Sequence, residues 1–332
     1  MRKVFIAVAI IMGALIATAI IWYAREFVYL LFAGILAAII LRRTSSWMSR
    51  KSGLHVNICL VVIVLALGGL IFAAVFFLGP NIADQFSKLF GALPAAIANL
   101  HDMIAKSPLG KVFSAEMAGA GKLGNNAASI AGKAAGFLFT TVGATISFLA
   151  ILVFGLYMAV SPDLYLRGIL QFVPRENRLR AHKIINTIGD ALQWWLIGQA
   201  LDMVSVGLMV LIGLWLLNVP LAMTLGLLAG VFDFVPVVGA IVSAIPAILI
   251  ALTVSPYKAM YVAILFLGVH LVESYILGPL IQRQTVRVPP LLIVSAIVFM
   301  GFLSGFLGVF FASPLVVVAS VLVRMLLIER IE

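Results

Sequence analysis

The chain has 332 residues, of which 64% are hydrophobic and only 10% charged, with a net charge of +10. Soluble domains carry about 25% charged residues, so this composition excludes a water-solvated monomeric fold and points to lipid as the solvent. The basic residues sit in short clusters beside apolar runs, as the positive-inside rule requires of a membrane protein, so no nucleic-acid partner is expected. The single Cys59 excludes an intramolecular disulfide and a Cys-rich metal site.

In chain order, Arg2 and Lys3 precede an apolar run over residues 4–23, about one bilayer thickness of helix. The triplet Ala17-Thr18-Ala19 resembles a signal cleavage site, but Ile20 to Tyr23 continue the run and an uncleaved span is expected. A second, short run covers 27–41. The cluster from Arg42-Arg43 to Arg50-Lys51 follows as a loop, and its charge assigns it and both termini to the cytoplasm. A third span, 56–78, ends at Gly79-Pro80.

Residues 80–133 then form an extracytoplasmic segment. Ile82, Phe86, Leu89, Leu93, Ile97, Leu100 and Ile104 recur at helical spacing, a stripe that fits the membrane surface or a neighbouring subunit, with a bend or break at Pro94. Residues 134–160 return to the cytoplasm. Residues 161–195 are a polar, amphipathic cytoplasmic segment, with Trp194 and Trp195 suited to the interfacial belt. The fifth crossing is 197–217.

Two later stretches, 221–253 and 291–328, are too long for one crossing and carry breakers: Pro236, Gly239 and Pro246 in the first, Gly305, Gly308 and Pro314 in the second. Between them lies a clean span, 257–277, followed by Pro279. Reading each long stretch as a hairpin keeps Arg283, Arg287 and Arg324 cytoplasmic. The expected fold is therefore an all-α polytopic membrane protein, with six full transmembrane helices and two broken or re-entrant hairpin pairs. Its organisation divides into N-terminal helices (1–79), the extracytoplasmic segment (80–133) and a transport core (134–332). Gly226-x-x-x-Gly230-Val-Phe-x-x-x-Pro236 resembles Gly308-Val-Phe-x-x-x-Pro314 with its preceding Gly301-x-x-x-Gly305, a pattern consistent with an internal repeat.

Of the twelve acidic residues, three fall inside apolar segments: Asp202, Asp233 and Glu273. A charge at the centre of a spanning helix costs roughly 2.5–3.5 kcal/mol on insertion scales, so these three are candidates for a transport or proton-relay role. His270 stands three residues before Glu273, on the same helix face, where the pair could hydrogen-bond or exchange a proton. Two ligands do not make a metal site and no third is evident, so neither a metal nor a cofactor is expected. Phosphate-binding loops, zincin motifs and nucleophile elbows are absent from the sequence, which argues against an enzyme and against direct coupling to ATP.

Asp233-Phe-Val-Pro236-Val-Val-Gly239 and Ala244-Ile-Pro246-Ala247 resemble the Asp-Phe-Ile-Pro-x-x-Gly region of the autoinducer-2 exporter family. Glu273-Ser-Tyr-Ile-Leu-Gly-Pro279, Val286-Arg-Val-Pro-Pro290-Leu291, Pro80 with Gln85 and Pro94, and Gly198-Gln199 carry the resemblance across the chain. Ser274, Tyr275, Arg283 and Pro289 depart from the pattern. The resemblance implies a homo-oligomeric secondary transporter of the bacterial inner (cytoplasmic) membrane. Its substrate would be a small hydrophilic solute, exported with proton coupling through Asp233 and Glu273, or a monovalent cation exchanged for protons. A non-transporting membrane scaffold is the reading from another class.

Overall fold

The computed structural model of the chain describes residue 12 and residues 24–106, 141–281 and 289–328. The expected first span, at 4–23, lies outside these, as do Arg283, Arg287 and the loop around residue 125. Helix α1 (Arg25–Ser52) covers the second apolar run and continues through the basic cluster that sequence reading made a loop. The polar residues there bond back along their own helix: Thr44, Ser45, Ser46 and Ser52 each donate to the carbonyl four residues earlier, at 2.6–2.8 Å. Helix geometry therefore survives the change from apolar to basic composition, and it stops at Gly53, which adopts a left-handed φ of 71°.

Helix α2 (Val56–Lys106) likewise joins the third span to the amphipathic segment. Pro80 and Pro94 lie inside it, so neither terminates the helix as expected. The chain next forms α3 (Thr141–Val160), α4 (Pro162–Gln171), a short 3₁₀ turn (Arg175–Asn177) and α5 (Arg178–Leu216). Helix α5 fuses the cytoplasmic amphipathic segment with the fifth crossing. Asp202 lies well inside this long helix.

Residues 221–253 are two helices, α6 (Ala222–Phe232) and α7 (Val238–Val254), separated by a turn at 233–237. They pack together, and α7 also packs on α8 (Pro256–Val272). A π-helical turn (Glu273–Leu277) and α9 (Gly278–Ile281) prolong α8. Helix α10 (Pro290–Val323) is interrupted only at Gly305, whose φ/ψ of 61°/−139° no helix permits, and ends in a second π-turn (Arg324–Ile328). A Cβ on Gly308 would strike the carbonyl oxygen of Met300, and one on Gly301 would meet Val309 at 3.0 Å. Eight residues of helix span about 12 Å, so these contacts require the chain to fold back on itself.

The first hairpin has the same device, with Gly239 set against the carbonyl of Phe232. This contact pairs Gly239 with Gly308, whereas the sequence pattern pairs Gly230 with Gly308, so the internal repeat is not confirmed; Pro246 and Pro314 both lie inside the helix after the turn rather than at a break. Pro236 does lie in its turn, and Pro279 follows the π-turn in α9.

Contacts divide the chain into two compact units. Met1–Val64, Thr145–Gln193 and Val288–Glu332 form one; Leu65–Ala144 and Trp194–Arg287 form the other. In the first, α1 and α3 approach closely at Gly34, where a Cβ would lie 2.6 Å from that of Phe154, and Tyr29 stacks on Phe311 of α10. In the second, Val206, Val210, Leu214, Leu225, Ala229, Ile250, Val262 and Phe266 form a buried core. Leu89 of α2 belongs to that core, 2% exposed, so this member of the amphipathic stripe packs within its own chain.

Among the described residues, four helices are long and apolar enough to cross a bilayer: Arg25–Ser52, Arg175–Leu216, Pro256–Leu280 and Pro290–Leu326. The sharply bent pair Ile146–Val160 and Pro162–Gln171 makes a fifth if counted as one span. Leu65, Leu70, Phe72, Phe76 and Phe77 stand exposed along α2, as a lipid solvent allows. The chain is a multi-pass membrane protein, and its described residues form helices without strands.

Candidate functional site

Small residues set the site's geometry. On α5, Gly207 lies against Gly226 and Gly230 of α6, and a Cβ on Gly230 would come within 2.6 Å of the Met203 carbonyl. This close crossing brings the end of α6 beside the α5 turn that carries Gln199 and Asp202. Asp233 caps the C-terminus of α6 and is 3% exposed. The side-chain amide of Gln199, itself buried, donates to the Asp233 main-chain carbonyl at 2.8 Å. It satisfies an acceptor that the interrupted helix leaves open.

The turn beyond is tightly tied. Val235 donates to the Phe232 carbonyl at 3.0 Å and Gly239 to the Val235 carbonyl at 2.8 Å, while Trp195 meets Phe234 edge to face at 5.8 Å. Val237 takes a φ of +67°, a left-handed conformation that is strained for a β-branched residue. Backbone strain of this kind persists only where the surroundings enforce it.

Across from Asp233, His270 and Glu273 lie at the end of α8. His270 Nδ1 and Glu273 Oε2 are 2.5 Å apart, and both side chains are largely buried. Glu273 opens the π-helical turn, a distortion frequent at functional sites. One ligand atom each from Asp233, His270 and Glu273 lie within 4.8 Å of one another. Asp202, 7% exposed, is close enough to interact electrostatically with both Asp233 and Glu273.

The structure therefore gathers all four candidate residues into one cluster. It also supplies the third group that sequence reading did not find beside His270 and Glu273, so these three residues could hold a cation. Oδ1 of Asp202, Oδ2 of Asp233 and Nε2 of His270 are buried without hydrogen-bond partners among the described residues. Buried polar groups are normally paired. Two buried carboxylates beside a partly exposed carboxylate and imidazole need their excess negative charge compensated, by protons or by a bound cation.

Gln199 had no assigned role in the sequence. Its signal was there, since Gly198-Gln199 is part of the stretch that resembles the exporter family. Of the breaker residues, Pro236 and Gly239 adjoin Asp233 and shape the site. Gly305, Gly308 and Pro314 belong to the other compact unit, in which Ser313 Oγ is also buried without a partner.

The profile of the AI-2E family transporter matches residues 5–328, nearly the whole chain. This chain belongs to the AI-2E transporter family. A candidate transport protein of Thermotoga maritima is 27% identical over 239 residues, covering 72% of each chain. YrrI of Bacillus subtilis, also named as a candidate transport protein, is 29% identical over 191 residues, or 58% of this chain; the match spans 53% of YrrI. The AI-2 transport protein TqsA of Escherichia coli K12 is 28% identical over 133 residues, which is 40% of this chain and 39% of TqsA. Asp233, His270 and Glu273 thus sit in an AI-2E family member, on the Asp-Phe-Val-Pro turn and at the start of the Glu-Ser-Tyr-Ile-Leu-Gly-Pro stretch.

Proposed function

We propose that this chain is a secondary transporter of the cytoplasmic membrane that exports a small hydrophilic solute, of the class named for its relative TqsA, in exchange for protons. The observation that carries this reading is the buried cluster at the α6–α7 turn. Two carboxylates and an imidazole there present unpartnered atoms beside the close His270–Glu273 pair. Intramembrane ionisable groups are costly, and proton relays and substrate pathways are their usual use. Broken helices at such a place offer free main-chain groups to a polar solute. The basic run at the end of α1 supports cytoplasmic termini, and the family resemblance supports a homo-oligomer.

The test is gradient-driven flux of an autoinducer-2-like diol in proteoliposomes. Glu273→Gln and Asp233→Asn keep size and hydrogen bonding but remove titration, so each abolishes coupled flux; Glu273→Asp retains part of it. Thermal unfolding of each purified variant controls for folding. Full flux through a well-folded Glu273→Gln, Asp233→Asn double variant would remove the carboxylates from the mechanism and favour a scaffold.

A second reading, monovalent cation/proton antiport, is favoured by one observation: the ligand atoms of Asp233, His270 and Glu273 lie within 4.8 Å of one another, close enough to converge on one ion. It predicts sodium or lithium flux against a pH gradient without any diol.

A further inference from the structure

A second polar site lies far along the sequence from the buried cluster, at the elbow between α3 and α4. The two helices meet at Ser161 with a bend of 87°. If α3 crosses the bilayer, α4 lies along its surface. The composition of α4 agrees with that placement, since Leu164, Tyr165 and Ile169 are exposed on it, and Phe172 just beyond its end is 92% exposed. An apolar face turned outward on a short amphipathic helix is how an interfacial segment rests among lipid headgroups.

Under this elbow is a cavity of about 620 Å³, lined by Arg42, His55, Asn57, Ser161, Asp163 and Arg167 among others. Its volume falls in the roughly 300–1,000 Å³ range of small-ligand sites. Arg42 is already oriented, with Nη1 donating to Asn57 Oδ1 at 3.1 Å and to the Ala159 carbonyl at 3.3 Å. This leaves its remaining donors for an anion. Arg167 and Asp163, one helical turn apart on α4, make no hydrogen bond or ion pair among the described residues.

We infer that this cavity binds the headgroup of a zwitterionic phospholipid, an ethanolamine phosphodiester, from the leaflet on the side marked by the basic cluster. The two guanidinium groups take the phosphate, for which Arg offers forked donors. The Asp163 carboxylate takes the ammonium. Two positive charges and one negative charge thus meet one negative and one positive. The apolar face of α4 and the exposed end of α3 leave room for acyl chains to remain in the bilayer. A purely anionic headgroup would leave Asp163 unpaired against it, and a choline headgroup would offer no N–H to the carboxylate.

The experiment uses the purified full chain, stripped of lipid in detergent and titrated with phosphatidylethanolamine, phosphatidylglycerol or phosphatidylcholine. Bound lipid is counted by native mass spectrometry. Wild type is expected to retain phosphatidylethanolamine about tenfold better than the other two, the scale of one charge-assisted hydrogen-bonded pair. Arg167→Ala weakens that retention about tenfold. Asp163→Asn erases the preference over phosphatidylglycerol while keeping phosphodiester binding. Both side chains are exposed and unbonded, so thermal stability without lipid stays unchanged.

Equal retention of all three lipids by wild type, a preference for phosphatidylglycerol, or indifference to both substitutions would overturn the assignment. Soluble phosphoethanolamine competing as effectively as the lipid would assign the site to a free phosphate ester and overturn it as well.

Discussion

The amide of Gln199 donates to the main-chain carbonyl of Asp233 across 2.8 Å, between two helices whose glycines let them touch. This bond fixes where α6 stops and so where the Asp233 carboxylate begins. Gln199→Leu leaves a buried carbonyl without a donor, at a cost of roughly 1–3 kcal/mol. The expected outcome is a lower unfolding temperature in detergent together with impaired flux. Wild-type values on both measurements would show that the bond does not position the site.

His270 pairs with Glu273 through Nδ1 and keeps Nε2 buried and unpartnered. His270→Gln retains a hydrogen-bonding group beside Glu273 but removes the second ring nitrogen. The expected result is impaired flux at an unchanged unfolding temperature. Unchanged flux would assign His270 a packing role only.

The hairpin glycines are needed in two ways, by close contact and by positive φ, and alanine substitution separates them. Gly239→Ala and Gly308→Ala each drive a methyl group into a carbonyl of the opposing arm, so each loses roughly 1–3 kcal/mol or more in unfolding free energy. Gly305→Ala meets nothing within 4 Å and suffers only the backbone strain of a φ/ψ of 61°/−139°, a cost of roughly 1–3 kcal/mol. Gly268→Ala, in open space on α8 with an ordinary φ, is the control and is neutral or slightly stabilising.

The amphipathic stripe yields a sharper expectation than sequence alone allowed. Leu89 is 2% exposed inside the core of its own unit. Leu89→Ala therefore costs roughly 2–5 kcal/mol, read as a lower unfolding temperature at every protein concentration. An effect confined to dilute samples would return Leu89 to an interface between subunits.

Topology is testable with single-cysteine reporters after Cys59, which is buried, has been replaced. A reporter at exposed Thr44 or at residue 284 is expected to be protected from an impermeant reagent in whole cells, and one at residue 125 labelled. Labelling at residue 284 would mean an odd number of crossings between 221 and 253.

The ionisable cluster was legible one residue at a time. Asp202, Asp233 and Glu273 stood out because charge is expensive in apolar sequence, and the length and breakers of 221–253 gave the first hairpin. Their convergence was not legible, since it depends on the Gly207–Gly226–Gly230 crossing, a contact between positions distant in sequence. Helix ends were misjudged for a local reason. The hydroxyls of Thr44, Ser45 and Ser46 bond to their own helix, so a polar run that resembled a loop extends α1. The Gly-Val-Phe pattern is not confirmed as a repeat; what the two stretches share is the close self-approach at Gly239 and Gly308.

The wide turn at Glu273–Leu277 closes with the Gly278 N–H on the Glu273 carbonyl, five residues back instead of four. It holds one residue more than a regular helix needs, so the faces of α8 and α9 are out of phase by about 100°. The turn is therefore a place where the gene can lose a codon cheaply. Deleting Ser274 would regularise the helix, because the Gly278 N–H would then meet the same Glu273 carbonyl four residues back, leaving His270, Glu273 and Pro279 on their present faces. Losing one residue within Leu265–Val269 would instead rotate the histidine and the glutamate together away from Asp233. Relatives one residue shorter in this stretch can thus keep both the cluster and the face beyond it.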